Sequence, residues 1–526
     1  MTEKPDFIRN FKKPAHTEIK HIGQQWYLYE CFSKYDPEVK RSRKISGKCL
    51  GKITQEGLVV STRRMIKTSK PIISDTVEVG GCLYYWDRTT QLRLRLQKYF
   101  PDHWQLLYTI ALLRATKGPR FKRLQLHYEN SLLSHIYPDL TFTSPAISEF
   151  LKVLGKQRKA MTAFMHEDVQ SDSQYILFDG HRLITASQTM ELAELGYDSK
   201  RRFKPQTNLL YIYSLQKDMS TPVYYKQYAG STPDVSAFTD ILRESGLKGS
   251  DYTVIADKGF ACAEGFDLLN EYGLNHIIPL KRGNKIVKDH LPSSAAGYQD
   301  LFVYHGRAIH SLRIEQNAFN VFLYFDAQLY ADELADATAR QVKKNEILEH
   351  KKQAEENRRY KGKGRLSDEE LAALKPIELS LLHDQIPEMG TFSIRTNRKD
   401  LNSQQVYRLY KQRQEIEQFF KTYGDSMEFE ASYMRNTVCQ EAWLFLNHLS
   451  SKIGVSSIEE IATLEESKNI SLEDLHQTLA KITASRVINE WQVSPIKKAT
   501  QKLLDKLNTT MTQDQIVEMI ATDVTT

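Results

Sequence analysis

The chain has 526 residues, 41% of them hydrophobic and 10% aromatic, with a formal net charge of +7; that is enough to bury real cores, and the length is a prior for about three or four domains in a globular protein. Five cysteines, scattered and never spaced C-x-x-C, argue against a disulfide framework and a zinc site and fit a reducing cytoplasm. The N-terminus "MTEKPDFIRNFKKP" lacks an apolar h-region and no run of about 18 apolar residues occurs, so neither export nor membrane insertion is expected.

Residues 1–91 read as a strand-rich N-terminal region, in which β-like runs ("WYLYECF", "GLVVST", "TVEVGGCLYYW") are broken by glycine. Helical periodicity takes over in 92–165, through "HWQLLYTIALLRATKG" and "SPAISEFLKVLGKQRKAMTAFM", the second helix opening with Ser144 as N-cap and Pro145 at the first helical position. Rich in Lys and Arg, this region is expected either to lie on DNA or to form a plain bundle. Across 166–283 three apolar runs in succession, then strand alternating with helix, describe a mixed sheet of the α/β class. Residues 284–388 interrupt that rhythm with a meander and a long charged helix, which reads as an insertion. The strand "GTFSIRTN" and a further helix resume the sheet in 389–450, and 451–526 reads as helical and amphipathic.

Positive residues cluster in "KRSRKISGKCLGK" from Lys40, "RATKGPRFKR" from Arg114 and "RRYKGKGR" from Arg358. Such patches suit a polyanion, because each Lys or Arg on a phosphate releases condensed counterion, although charge runs are also common on solvated faces.

The helix "QVYRLYKQRQEIEQFFKTYG" from Gln405 to Gly424 mixes charge types on one face. At about 100° per residue, Tyr410, Arg413, Glu417 and Lys421 share a sector of roughly 80°, bordered by an apolar stripe of Leu409, Ile416, Phe419, Phe420 and Tyr423. Glu415 points elsewhere. Asn402 is placed as N-cap with Gln405 three residues on. Taken alone, the stretch also suits an ordinary surface helix laced with ion pairs.

Two aspartates stand out. Asp179 ends the apolar run "YILF" before Gly180, and Asp257 ends "YTVIA" before "KGF". A carboxylate at the end of a core strand needs a partner, and a turn amide is the bland one. Taken with Glu417, however, the two supply three carboxylates, a natural minimum for a pair of Mg²⁺ ions that clamp the attacking and leaving oxygens of a phosphodiester.

The blocks "ILFDGH", "IADKGF" and "YKQRQEIEQFF" resemble, in order, the three signature blocks of DDE transposases of bacterial insertion sequences, and most nearly those of the insertion-sequence-four superfamily with its Tyr-Arg-Glu-Lys signature. The segments "PVYYKQYAGSTPDVSAF", "GTFSIRTN" and "YDPEVKRSRKISGKCLGKI" share the family's character. The resemblance implies a ribonuclease H-like catalytic core with an insertion between the second Asp and the Glu. It implies cut-and-paste transposition: metal-dependent strand cleavage at transposon ends, then strand transfer into target DNA. Asp179, Asp257 and Glu417 resemble the catalytic, metal-binding triad for two Mg²⁺ ions, with Mn²⁺ as substitute, and Tyr410 and Arg413 resemble residues that grip DNA phosphates. The family's Lys falls on Gly424, so Lys421, one turn earlier on the same face, is the expected replacement. Lys281, Arg282 and Lys285, after the strand "HIIPL", are expected along the DNA path. No Trp falls in the insertion, so Tyr304, Phe319 or Tyr324 would have to stabilise any flipped base. Partners implied are double-stranded DNA, as terminal inverted repeats and target, and a second copy of the chain in a homodimer; the location implied is the bacterial cytoplasm, at the nucleoid. The alternatives are a transposase-derived DNA-binding protein that no longer cuts and a ribonuclease H-like nuclease.

Overall fold

The computed structural model describes residues 4–36, 40–60, 73–169, 174–197, 203–216, 219–363, 365–374, 386–413, 431–464, 470–487 and 490–522. Two units divide the chain: Met1–Thr76 with Ala484–Gln492, and Val77–Thr483 with Val493–Thr526.

In the first unit, alternating side chains make four antiparallel strands in sequence order, Thr17–Ile22, Gln25–Asp36, Arg41–Thr54 and Gly57–Val59. Their core is small: Ile8, Leu28 and Ile53 are buried, with Phe7, Phe11, Ile19, Trp26 and Leu50 packed around them.

The second unit holds an eleven-stranded mixed sheet among the described residues. Tyr175–Thr185, Phe203–Gln216 and Met219–Ala229 run antiparallel to one another in that spatial order. On the other side of Tyr175–Thr185 the strands Thr253–Ile255 and Asn275–Pro279 follow, parallel to it. Helices Asp234–Ser245 and Ala263–Glu271 connect these strands, and apolar side chains such as Phe178 and Phe238, with ring centroids 4.9 Å apart, fill the layer between sheet and helix. Next comes Thr391–Thr396, antiparallel to Asn275–Pro279, and then the meander Asn320–Asp326, Arg307–Glu315 and Asp300–Tyr304. The meander read as an insertion therefore extends the central sheet by main-chain hydrogen bonds. Its charged helix, Ala327–Tyr360, starts at an Asp326 cap that accepts from the amides of Gln328 and Leu329.

The helix Thr437–Ala462 is the pillar of the helical part: Trp443, Leu444, Phe445, Leu446 and Leu449 are fully buried. Helix Ser144–Gly155 packs against it so closely that a Cβ on Gly155 would sit 1.9 Å from the Val438 carbonyl oxygen.

Several sequence expectations change here. "GGCLYYW" is the helix Gly80–Trp86 and not strand, because a short apolar run buried on every side carries no periodicity to tell the two apart. Ser144 is the first helical residue, with Thr143 in the capping position. Residues 451–526 are not all helical, since Thr483–Val487 and Glu490–Val493 are strands. Part of the basic run at Arg114 is internal: Arg114 is 3% exposed and its guanidinium donates to Asn447 Oδ1 at 2.7 Å. Among the described residues no helix is long and apolar enough to cross a membrane.

Candidate active site

Asp179 lies mid-strand, opposite Tyr211, in a strand that continues through Gly180 to Thr185. The turn suggested by the Asp-Gly pair is absent. Parallel pairing sets Thr253 beside Tyr175 and Ile255 beside Leu177. Asp257 follows two residues past the end of the strand Thr253–Ile255, where the same offset would set it beside Asp179. Asp257 precedes the short 3-10 turn Lys258–Phe260 without capping it by its side chain, so its carboxylate is not spent on a turn amide.

A third side chain joins them from a distant part of the sequence. Residues 403–413 are helical, and Arg413 donates from Nη2 to Asp179 Oδ1 at 2.8 Å while its Nη1 lies 3.9 Å from Asp257 Oδ1. One guanidinium thus spans both carboxylates, and at 9% exposure it does so largely out of water. Desolvation raises the pKa of Asp179 above the usual aspartate value; the charge and hydrogen bond of Arg413 and the charge of His181 oppose that rise, and Asp257 adds to it.

The helix is held by aromatic packing on the meander. Asn402 and Gln405 form a reciprocal cap, each side chain accepting the other's amide at 2.9 and 3.0 Å, as the sequence predicts. Tyr324 donates its hydroxyl to the Ser403 carbonyl at 2.8 Å. The Tyr407 ring centroid lies 5.5, 5.2 and 4.9 Å from those of Phe302, Tyr304 and Tyr324. Tyr410 rests on Phe392 at 5.0 Å. The face expected to border the core is instead buried as far as Arg413: Val406, Tyr407, Tyr410 and Arg413 are all buried; of the expected apolar stripe Leu409 is half-exposed, and Ile416, Phe419, Phe420 and Tyr423 lie outside the described residues. The helical wheel assigned Tyr and Arg to the polar side, but here stacking and the two carboxylates satisfy them inside.

Glu417, Lys421 and Gly424 lie outside the described residues. Lys281 and Lys285 are exposed after the strand Asn275–Pro279, and Lys281 is near enough to the Cys262 thiol, in the loop after Asp257, to act on it electrostatically. Arg282 differs: it binds both Glu333 carboxylate oxygens at 2.8 and 2.9 Å and the Thr391 carbonyl at 2.8 Å, so it ties the charged helix to the sheet. Tyr324 is 1% exposed, too buried to receive a base. Sequence reasoning missed His181, exposed on the same strand face as Asp179; the alternation Asp179, His181 signals it once the strand is read through Gly180.

Among the described residues no three His, Cys, Asp or Glu side chains converge on one point. Asp179 and Asp257 do form a pair of hard oxygen donors of the kind Mg²⁺ and Mn²⁺ take, so the residues present fit such an ion as part of a ligand set.

No curated protein matches the chain. Among solved structures, that of the piggyBac transposase synaptic complex with hairpin DNA is similar at 10% identity and a TM-score of 0.39, covering 80% of this chain and 76% of that one. The family model "Transposase DDE domain" matches residues 170–451, a span that contains Asp179, Asp257 and the helical residues 403–413. The chain belongs to the DDE transposase family.

Proposed function

We propose that this protein is a cut-and-paste DNA transposase of the insertion-sequence-four, Tyr-Arg-Glu-Lys type, built on a ribonuclease H-like core. The observation that carries the reading is the single guanidinium of Arg413 reaching both Asp179 and Asp257. The antiparallel trio followed by two parallel strands supports the core assignment.

Asp179, Asp257 and Glu417 would hold two Mg²⁺ ions, or Mn²⁺ in their place. Bound there, such ions supply charge neutralisation at the scissile phosphate and acidify the attacking water. The protein's own contribution is positional. Strand pairing up to Ile255 and Leu177 brings the two aspartates near each other, and Glu417, four residues after Arg413 in the sequence, would join them. Arg413, with its planar fork, would exchange carboxylate for DNA phosphate when the strand enters, Lys421 would reach a neighbouring phosphate, and Tyr410, buried on Phe392, would hold the helix in place for them. Lys281 and Lys285 would extend the DNA path, and Arg282 would set the strand end from which they project. Regions 1–91 and 92–165 would recognise terminal repeats, with 284–388 as the insertion. Two copies would join two ends in one complex.

The test is cleavage of duplex DNA bearing the ends that flank the coding sequence, in Mg²⁺. The reading requires cleavage by the wild-type protein and its loss in Asp179→Ala. Gly424 in the place of the family Lys favours a second reading, a DNA-binding protein of transposase descent that no longer cuts; binding without cleavage by the wild-type chain would establish it.

A further inference from the structure

The strands Gln25–Asp36 and Arg41–Thr54 run well past the small core of the N-terminal unit. Thr17–Ile22 pairs only as far as Glu30, and Gly57–Val59 pairs only with Lys52–Thr54. Beyond that, apart from the Cys31 amide donating to the His16 carbonyl at 2.7 Å, Cys31–Asp36 and Arg41–Ser46 pair, among the described residues, with each other. Phe32–Tyr35 and Arg41–Ser46 are exposed throughout, on both faces of the ribbon. A register shift between Tyr29 and Cys31 marks a bulge where the ribbon leaves the sheet, with Gly47 beneath the Phe32 ring: a Cβ there would lie 2.6 Å from Phe32 Cε2. A two-stranded ribbon is marginally stable by itself, and this one buries nothing for the core, so folding alone gives no reason for its length.

Its two faces differ. Cross-strand partners share a face, so Phe32 with Ile45 and Lys34 with Arg43 lie on one side, together with Arg41. On the opposite side Lys44 is held 3.1 Å from Glu18. Residues 31–46 carry five Lys or Arg against two acidic residues. Phe32 and Ile45 nevertheless stand 53% and 44% exposed, an apolar pair beside cations and left in water.

We propose that this ribbon is a duplex-DNA reader that lies in the major groove, with Lys34, Arg41 and Arg43 on phosphates and Phe32 and Ile45 against base edges. The inference rests on the transposase reading and deepens it by naming the element and the groove. Two strands about 4.8 Å apart, with their side chains, suit a groove about 12 Å wide. Six paired residues span about 20 Å, close to six base pairs. Unpaired strand edges also invite a second copy, but basic side chains along them oppose that pairing.

The experiment uses the full chain and fluorescent duplexes: one carrying the DNA that flanks the coding sequence, one of scrambled sequence. The triple variant Lys34→Ala/Arg41→Ala/Arg43→Ala weakens binding to both and lowers the slope of log affinity against log salt by about 2.7, near 0.9 per lost contact. Ile45→Ala leaves the slope alone and reduces the preference for the flanking duplex about tenfold. If the triple variant melts below wild type, the single Lys34→Ala and Arg43→Ala variants must each lower the slope by about 0.9. An unchanged slope and affinity overturn the proposal, as does a triple variant whose only change is in oligomeric state, which would assign the ribbon to a second copy. Wild-type protein that cleaves the flanking duplex while the triple variant binds as tightly sinks the ribbon alone. Wild-type protein that binds no duplex sinks the ribbon and the transposase reading together.

Discussion

Asp179 and Lys34 both sit on strands paired with an antiparallel neighbour, and the two strands are built on opposite terms. Around Asp179 every neighbour on the strand from Ile176 to Phe178 is buried, and the carboxylate, at 32% side-chain exposure, faces Arg413 and Asp257. Around Lys34 nothing is buried, and the ribbon depends on a core of three fully buried residues further back along its strands. A charge on a central strand must be compensated by a specific partner, which makes it informative about chemistry. Charges on an exposed ribbon compensate no buried group, which makes them informative about binding.

The sharpest break of that contrast is at Asp179. Asp179→Asn removes a metal donor and should lower Mg²⁺-dependent cleavage by at least about 10³-fold, measured in single turnover. Its stability effect runs the other way. The pKa of Asp179 is raised in the folded state, so the folded chain favours the protonated form; the ionised carboxylate costs stability as pH rises through its titration, and a neutral amide removes that cost. The variant's melting temperature at pH 7 should therefore equal or exceed that of wild type, and a clear fall would show that the Arg413 pair outweighs desolvation.

Arg413→Ala should come next in size. The guanidinium is the foremost group opposing desolvation, so without it Asp179 titrates higher still. Mn²⁺ binding, followed by electron paramagnetic resonance, should then fall off at a higher pH than in wild type, about tenfold in affinity for each unit by which the titration moves. Arg413→Lys keeps the charge and should restore most of the wild-type pH dependence. A variant whose Mn²⁺ titration follows wild type at every pH would mean that Arg413 does not tune the pair. Smaller again is Tyr324→Phe, which leaves the Ser403 carbonyl without its hydroxyl donor at the start of the helix; about 1 kcal/mol of stability should be lost by denaturant unfolding.

How much of this was legible in sequence follows from which residues had to pay for burial. Asp179 and Asp257 were visible because carboxylates are rare beside core runs, although Gly180 made a continuing strand look finished. The Asn402–Gln405 cap was visible because it is local. The buried face of the same helix was not, because a wheel sorts Tyr410 and Arg413 by polarity while the fold sorts them by partner: Phe392 for one, two aspartates for the other. The meander's membership of the central sheet was hidden for a similar reason, since it depends on pairing Asn320–Asp326 with Thr391–Thr396 across a long helix.

The smallest effect tests the other half of the contrast. Lys34→Ala and Arg43→Ala remove side chains that cover no core, so each should change unfolding free energy by no more than about 0.5 kcal/mol. Leu28→Ala, on the same strand as Lys34 but fully buried, should cost about 2–5 kcal/mol in the N-terminal unit. Differential scanning calorimetry of the three variants separates the cases. If the Lys34 and Arg43 variants melt as early as the Leu28 variant, the ribbon contributes to folding, and its length would then have a structural cause. If they melt with wild type, the exposed cations are maintained for something other than the fold, and the salt dependence of DNA binding is where their removal must register.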